Sequence, residues 1–294
     1  MSSDTHRIRM ATPRRRPRVR RSISRIVLYV VLVLMAVPFV YPLLWMFLST
    51  FKPIQEIYGS IDLFPKDWTL EALGKIFTVN PLLPQYVNSL YTSVVITAAT
   101  VLFASMAGYA FARLRFKHAN VVFFVVLSTI FLPVEVTIIP IFRWTADLGL
   151  LDTHWPLIVP MALGSKLAIA VFIYRQYFLS LPRELEEAAM LDGLSRFSTF
   201  WRIVMPLSGA PTATVIILTF LNAFNMYFEP LVFIRTPEVL TVGVGLTRYQ
   251  DQYGEPLYNA QLGATSLTVI PILIVFLFAQ KQFVEGLTRA GLKG

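Results

Sequence analysis

The 294-residue chain is 55% hydrophobic and only 15% charged, with a mean hydropathy of +0.61, whereas a water-soluble domain is about one-quarter charged. It has no cysteine, which excludes disulfides, thiolate metal centres and cysteine nucleophiles, and its three histidines (His6, His118, His154) offer no local ligand spacing. A formal charge of +9 raises nucleic acid as a partner, but the basic residues cluster between long apolar runs, a distribution that reports membrane topology instead.

In chain order, residues 1–25 carry nine arginines (Arg7, Arg9, Arg14, Arg15, Arg16, Arg18, Arg20, Arg21, Arg25) against the single acid Asp4. This segment has no apolar periodicity and reads as a disordered cytoplasmic tail drawn to anionic lipid head groups. The run 26–50 is too long for a signal-peptide core and lacks a small-x-small cleavage site, so it is expected to be a retained first span. Five further spans are expected at 87–112, 119–139, 155–174, 211–228 and 261–283, each near the ~20 residues that cross ~30 Å of hydrocarbon. In lipid every span must satisfy its own backbone, so these read as helices, and Pro38, Pro42, Pro133 and Pro271 are tolerated within them. Counting Lys and Arg on alternate sides places 19 on the side of the tail and 6 on the other, which puts both termini in the cytoplasm. The expected fold class is therefore an all-α integral membrane protein of about six transmembrane helices. The outward loops 52–86 and 229–260 are long enough for short surface helices, and their aromatics Tyr58, Trp68, Tyr249 and Tyr253 suit the membrane interface or a docking surface.

The cytoplasmic stretch 180–206 differs from a connecting loop. Pro182 and the run from Arg183 to Leu191 form a helix start followed by strong helix formers. Leu185, Ala188, Ala189 and Asp192 recur at three- and four-residue spacing as one compact face. Gly193 supplies a position tolerant of positive φ, a helix stop. A second amphipathic helix is expected over 195–204, with Phe197, Phe200, Trp201 and Val204 as its apolar stripe, ended by Pro206. Pattern alone fits a protruding helix-turn-helix and equally an amphipathic hairpin lying on the membrane surface.

The string Glu187-Ala188-Ala189, then Gly193, Ile203 and Met205-Pro206 at fixed spacing resembles the EAA signature of ABC importer permeases, with methionine where that family usually has leucine. Further matches run through the chain: Phe51-Lys52-Pro53, Ala107-Gly108-Tyr109-Ala110-Phe111-Ala112-Arg113, Leu132-Pro133, Ile139-Pro140, the run Leu148 to Thr153, Asn225, Pro230-Leu231 and the C-terminal run from Phe283 to Gly294. These are similar to the carbohydrate-uptake branch of type I importers, in particular the maltose-type permease that carries this loop. The resemblance implies a six-helix permease domain over 26–283, with a cytoplasmic tail at 284–294, in a bacterial or archaeal plasma (inner) membrane.

It also implies division of labour. A second homologous permease forms the pathway as a heterodimer, two ATPase subunits bind beneath, and an extracytoplasmic binding protein delivers a sugar, a polyol or a sugar phosphate. The EAA hairpin acts as a coupling helix on the ATPase through Glu187, Ala188, Ala189, Asp192, Gly193, Ile203 and Pro206. No cofactor is expected on this chain; ATP and Mg²⁺ belong to the ATPase, since no G-x-x-x-x-G-K-[S/T] loop occurs and Gly164-Ser165-Lys166 lacks the first glycine. For the substrate path, ionisable groups at membrane depth are costly and point to Glu135 and Lys166, either of which can instead sit near an interface. Asn222 and Asn225 share a helix face and, with Phe224 or Tyr227, can bond hydroxyls and stack on a sugar ring, or serve as interhelical contacts. The competing class is a stand-alone secondary transporter, which would more often show two similar halves or intramembrane charge relays; neither is evident.

Overall fold

The computed structural model describes the backbone of residues 18–291 and the side chains of residues 25–281. Of the arginine-rich tail expected at 1–25, residues 1–17 lie outside the described residues, whereas from Arg18 on the backbone is helical and continuous with the first span; of the C-terminal tail expected at 284–294, the backbone is helical to Gly291 and residues 292–294 lie outside the described residues. Among those described, helices account for the architecture and the only strand-like feature is an isolated bridge between Gln250 and Pro256.

The first span, α1 (Arg18–Ser49), leads into two short outer helices, α2 (Ile54–Gly59) and α3 (Glu71–Thr78). The second span is α4 (Leu82–Arg113), a 32-residue helix about 48 Å long at 1.5 Å per residue. It is the centre of the bundle and packs chiefly against the fourth and fifth spans. Its buried face is unusually polar and small, with Ser89, Thr92, Ser93, Thr97, Thr100, Ala104, Ser105 and Gly108. In lipid, helices gain little from burying apolar groups against one another, so small residues that allow close backbone approach dominate the contact. Gly108 shows this directly: a Cβ there would lie 2.7 Å from the Tyr174 Cβ and 3.0 Å from the Arg175 backbone nitrogen.

The third span departs from expectation. It is α5 (Ala119–Ser128), a short 3₁₀ turn (Thr129–Phe131) and α6 (Val134–Asp147), with a bend of 96° between the halves. The break falls at Leu132-Pro133. Proline cannot donate a backbone hydrogen bond and pushes the residue before it out of the helical region, and Leu132 sits at φ −81°, ψ 112°. The segment consequently continues to Asp147, beyond the expected end at 139. Counting this pair as one, six segments are long and apolar enough to cross a membrane.

The fourth span is α7 (Trp155–Leu163) and α8 (Ser165–Ser180), interrupted at Gly164. The cytoplasmic hairpin follows as α9 (Glu184–Leu191), α10 (Arg196–Thr199), a π-helical turn (Phe200–Val204) and α11 (Met205–Leu207). The expected single helix ending at Pro206 is therefore corrected. Pro206 lies inside the first turn of α11, where its missing N–H costs nothing, and the chain breaks at Ser208. The wider π turn just upstream has Met205 N donating to the Phe200 carbonyl, which accommodates a ring that could not serve as donor. The fifth span is α12 (Gly209–Phe224) continued by α13 (Phe228–Phe233), and α14 (Val242–Gly245) lies in the outer loop before the last span, α15 (Tyr258–Gly291).

The two ends of the bundle gather the segments that the charge count assigned to opposite sides. At the outer end Asn80 and Gln85 exchange amide hydrogen bonds and tie to the carbonyls of Gly245 and Pro237, while Tyr249 donates to Ile76 O at 2.7 Å. Burial raises the Tyr249 phenol to about 12. At the other end the tip of α4 meets the hairpin. The first span stands apart: its apolar window is 0% buried, and Ile26 to Leu44 expose their side chains on every face.

Candidate functional site: a cytoplasmic hairpin beneath a membrane-depth cavity

The hairpin turns at Gly193, whose φ of +84° only glycine adopts without strain. Leu194 N donates to Ala189 O and Gly193 N to Met190 O, the paired bonds of a Schellman stop. Ser195 then caps α10, its hydroxyl accepting from Ser198 N at 3.2 Å. The predicted stop is thus in place.

The face grouping is corrected. Of Leu185, Ala188, Ala189 and Asp192, only Ala189 is buried, at 3% exposure, while the others point outward. The helix turns Ala189 inward against its own bundle and presents Glu187, Ala188, Leu191 and Asp192 on the outer side. Leu191, at 89% exposed, forms the tip. The apolar stripe of the second half divides in the same way: Phe200 and Val204 enter the core beside Tyr109, Tyr174 and Phe178, whereas Phe197 and Trp201 remain exposed. Ile203 is half-buried and Pro206 exposed. A hairpin flat on its own chain would hide one of these apolar rows entirely; this one keeps a row of large side chains and an aliphatic tip uncovered.

Above it, two cavities open at membrane depth. A larger one of about 600 Å³ lies inside the bend of the third span, lined by α5, α6, α7, the start of α8 and the α12–α13 junction, with Lys166 and Glu229 among its polar groups. A smaller one of about 200 Å³ is lined by Thr100, Lys166, Thr219 and Asn222 amid apolar side chains, and the buried Thr100 hydroxyl has no hydrogen-bond partner among the described residues. Lys166 and Asn222 stand at the same depth, each about 20 Å from the cytoplasmic end of its helix at 1.5 Å per residue. Neither Lys166 nor Glu229 has an ion-pair partner among the described residues.

Of the substrate-path residues predicted, Asn222 therefore lines a cavity, and its amide donates to the Leu218 carbonyl of its own helix. Asn225 is exposed at the α12 C-terminus and does the same to Leu221 O. Tyr227 is half-exposed in the α12–α13 link. Glu135, at the start of α6, is exposed but lines neither cavity. Phe224 is a correction: it is 1% exposed, stacked on Phe220 with ring centroids 5.7 Å apart and edge-on to Tyr86, so its ring is packing and not a sugar platform. Helical periodicity explains the split, since Phe224 faces the bundle side that Phe220 occupies four residues earlier. Sequence reasoning passed over Glu229 and Thr100. Glu229 carried a signal, an acid beside Pro230 at a span end; Thr100, one of several hydroxyls on α4, carried none.

The outer loops are held by Asp152. It adopts φ +59° and accepts hydrogen bonds from Arg235 N and Thr236 N, both at 2.9 Å, and from the Thr236 hydroxyl at 2.5 Å. Those bonds, the Thr236 hydroxyl foremost, hold its carboxyl below the usual aspartate range. The Leu148–Thr153 motif thereby clamps the start of the 234–240 loop through Asp152.

A broken third span, a cavity at its bend and an uncovered cytoplasmic hairpin between the fourth and fifth spans define a membrane-transport permease. The chain matches, over residues 100–289, the family described as binding-protein-dependent transport system inner membrane component, and it belongs to that family: it is a permease subunit of an ABC importer, a multi-pass membrane protein and a transport component, not an enzyme. It is 37% identical over 258 residues to the arabinooligosaccharide transport system permease protein AraQ of Halalkalibacterium halodurans, covering 86% of this chain and 91% of that one. To the trehalose/maltose transport system permease protein MalG of Thermococcus litoralis it is 32% identical over 257 residues, covering 86% and 91%. Its fold matches a chain of a bacterial ABC transporter that imports the acidic polysaccharide alginate, with a TM-score of 0.76, 24% identity, and coverage of 92% of this chain and 100% of that one.

Proposed function

We propose that this permease carries a sugar, in the class of oligosaccharides or related polyols and sugar phosphates, and that it does so with a second homologous permease, two ATPase subunits and an extracytoplasmic binding protein. The hairpin at 180–206 is the lever on which the ATPases act, with Glu187, Ala188, Ala189, Asp192, Gly193, Ile203 and Pro206 as its working residues. ATP and Mg²⁺ are bound and hydrolysed on the ATPase subunits, and this chain supplies the pathway. The observation that carries the reading is the hairpin itself: a short rigid helix pair with an 89%-exposed leucine tip at the cytoplasmic end of the bundle. An uncovered aliphatic tip rimmed by Glu184 and Glu187 has the form of a docking element. The cargo class rests on the relatives, whose names specify arabinooligosaccharides and trehalose or maltose.

The exposed apolar stretch of α1, Ile26 to Leu44, supports the partner permease. A span that touches its own bundle chiefly along α15 leaves most of its surface for lipid or for a second subunit. Affinity purification of the tagged chain from membranes in mild detergent, with mass spectrometry of the associated proteins, tests the assembly. Recovery of a second six-span permease and an ATPase, reduced when Leu191 or Glu187 is replaced, is expected. A monomer that moves solute alone in liposomes without ATP would refute it.

A further inference from the structure

The motif Ala107–Arg113 closes the second span but lies outside the hairpin, and the pathway accounts for none of its side chains. The structure brings its two polar members onto the hairpin. Arg113 is only 5% exposed; its Nε lies 2.8 Å from Glu186 Oε1, an ion pair whose N–H is not aimed along the contact, and its Nη2 donates to Leu181 O at 2.6 Å. Tyr109 donates its hydroxyl to the other carboxylate oxygen, Glu186 Oε2, at 3.1 Å. The Tyr109 ring packs against Phe200, centroids 5.1 Å apart, and edge-on against Phe178 at 6.0 Å. One turn of α4 thus holds the first helix of the hairpin by charge, the π-helical turn that follows α10 by an aromatic contact, and the end of the fourth span by both a hydrogen bond and a ring.

We infer that Tyr109 and Arg113 are positioning residues that lock the hairpin to the second span, so that a displacement of the hairpin is delivered to the transmembrane bundle as a rigid movement of α4. The inference rests on the reading of the hairpin as a lever and names where the lever is fastened. Three physical points support it. A partly desolvated Arg–carboxylate pair is costly to leave with one partner missing, so it stays closed under load in a way an exposed pair does not. Tyr109 and Arg113 are four apart on one helix face, so both grips act on the same rigid rod. Glu186 is turned inward beneath this turn, whereas its neighbour Glu187 is exposed and left for another protein. The same turn also contains Gly108, whose close approach to Tyr174 and Arg175 keeps α4 and α8 in register at the fulcrum.

The test uses the assembled importer, in which the absence of cysteine from this chain lets two labels be placed at will. Spin labels at Met106→Cys on α4 and Glu184→Cys on α9, both exposed positions, report the α4-to-hairpin distance without nucleotide and with ATP, Mg²⁺ and vanadate. A second pair, Glu184→Cys with Leu34→Cys on the exposed first span, which stands apart from the bundle, reports whether the hairpin moves relative to the rest of the chain. The expected result is a nucleotide-dependent shift for the second pair and none for the first. Arg113→Gln then widens the first distribution and makes it shift with nucleotide, while Arg113→Lys, which keeps the charge, restores a single distance. If Arg113→Gln prevents assembly, the isosteric Glu186→Gln is read in its place. A single, nucleotide-independent distance in Arg113→Gln or Glu186→Gln would overturn the lock while leaving the lever intact. Absence of any shift for the second pair in the parent complex would overturn the lever, and the lock with it.

Discussion

Gly193→Val tests the coupling hairpin at the point where its geometry is most demanding. The residue stands at φ +84°, and a Cβ built there meets nothing within 4 Å, so the cost of a side chain is backbone strain with no steric term from neighbours. An L-residue in the left-handed region costs about 1–2 kcal/mol, and a β-branched one lies at or beyond the upper end. At about 1.4 kcal/mol per tenfold, 2 kcal/mol depletes the native turn roughly thirtyfold relative to alternatives that release the Leu194–Ala189 and Gly193–Met190 bonds. Asparagine tolerates the same conformation far better. Solute uptake per ATP hydrolysed, measured in proteoliposomes with the complete importer, is expected to fall by up to about thirtyfold for Gly193→Val and only a few-fold for Gly193→Asn. Both variants should reach the membrane at parent levels, because the turn lies outside the bundle and nothing packs on the missing side chain. Equal losses for valine and asparagine would refute the strain argument, and a parallel loss of inserted protein would make Gly193 a folding residue instead of a coupling one.

Other expectations follow from individual contacts. Leu191→Asp, at the uncovered tip, should leave thermal stability in detergent unchanged while reducing the ATPase recovered with the chain; unchanged recovery would remove the tip from the docking surface. Phe224→Ala empties a packed aromatic site and should cost about 3–5 kcal/mol of stability, whereas Asn222→Ala, on the cavity wall, should alter the apparent KM for uptake with little effect on thermal unfolding. Asp152→Asn weakens three hydrogen bonds at the outer clamp and should cost about 1 kcal/mol, read as a lower unfolding temperature. Because the folded Asp152 carboxyl is held below 3.8, its stabilisation is fully present above that value and is lost only as pH falls through the lower folded value; a parent-minus-variant difference that disappears between pH 7 and 5 would contradict the clamp.

Much of the architecture was legible because lipid imposes a simple rule: a helix must be apolar for about 20 residues, and charges must lie outside it. That is why the span count, the side assignment and the place of the hairpin could be read directly, and why Gly193 was recognisable as a stop from residue type and spacing. The 96° bend of the third span was foreshadowed only by Leu132-Pro133, since a proline in a membrane helix is compatible with continuation, kink or break. Which of these occurs depends on what packs around it.

The chain alone determined the spans, the topology and the existence of a hairpin with a fixed turn, for these depend on local composition and backbone preference. Tertiary structure decided which face of each element is used. It buried Phe224 and Ala189, left Leu191 uncovered, brought Lys166 and Asn222 to one depth, and joined Arg113 to Glu186 across 73 residues of sequence. Helical periodicity places two residues on the same side of a helix but cannot say toward which neighbour that side turns. In a membrane both choices present apolar surface, so hydrophobicity does not distinguish lipid from protein, and only the packing of small and polar groups against specific partners does.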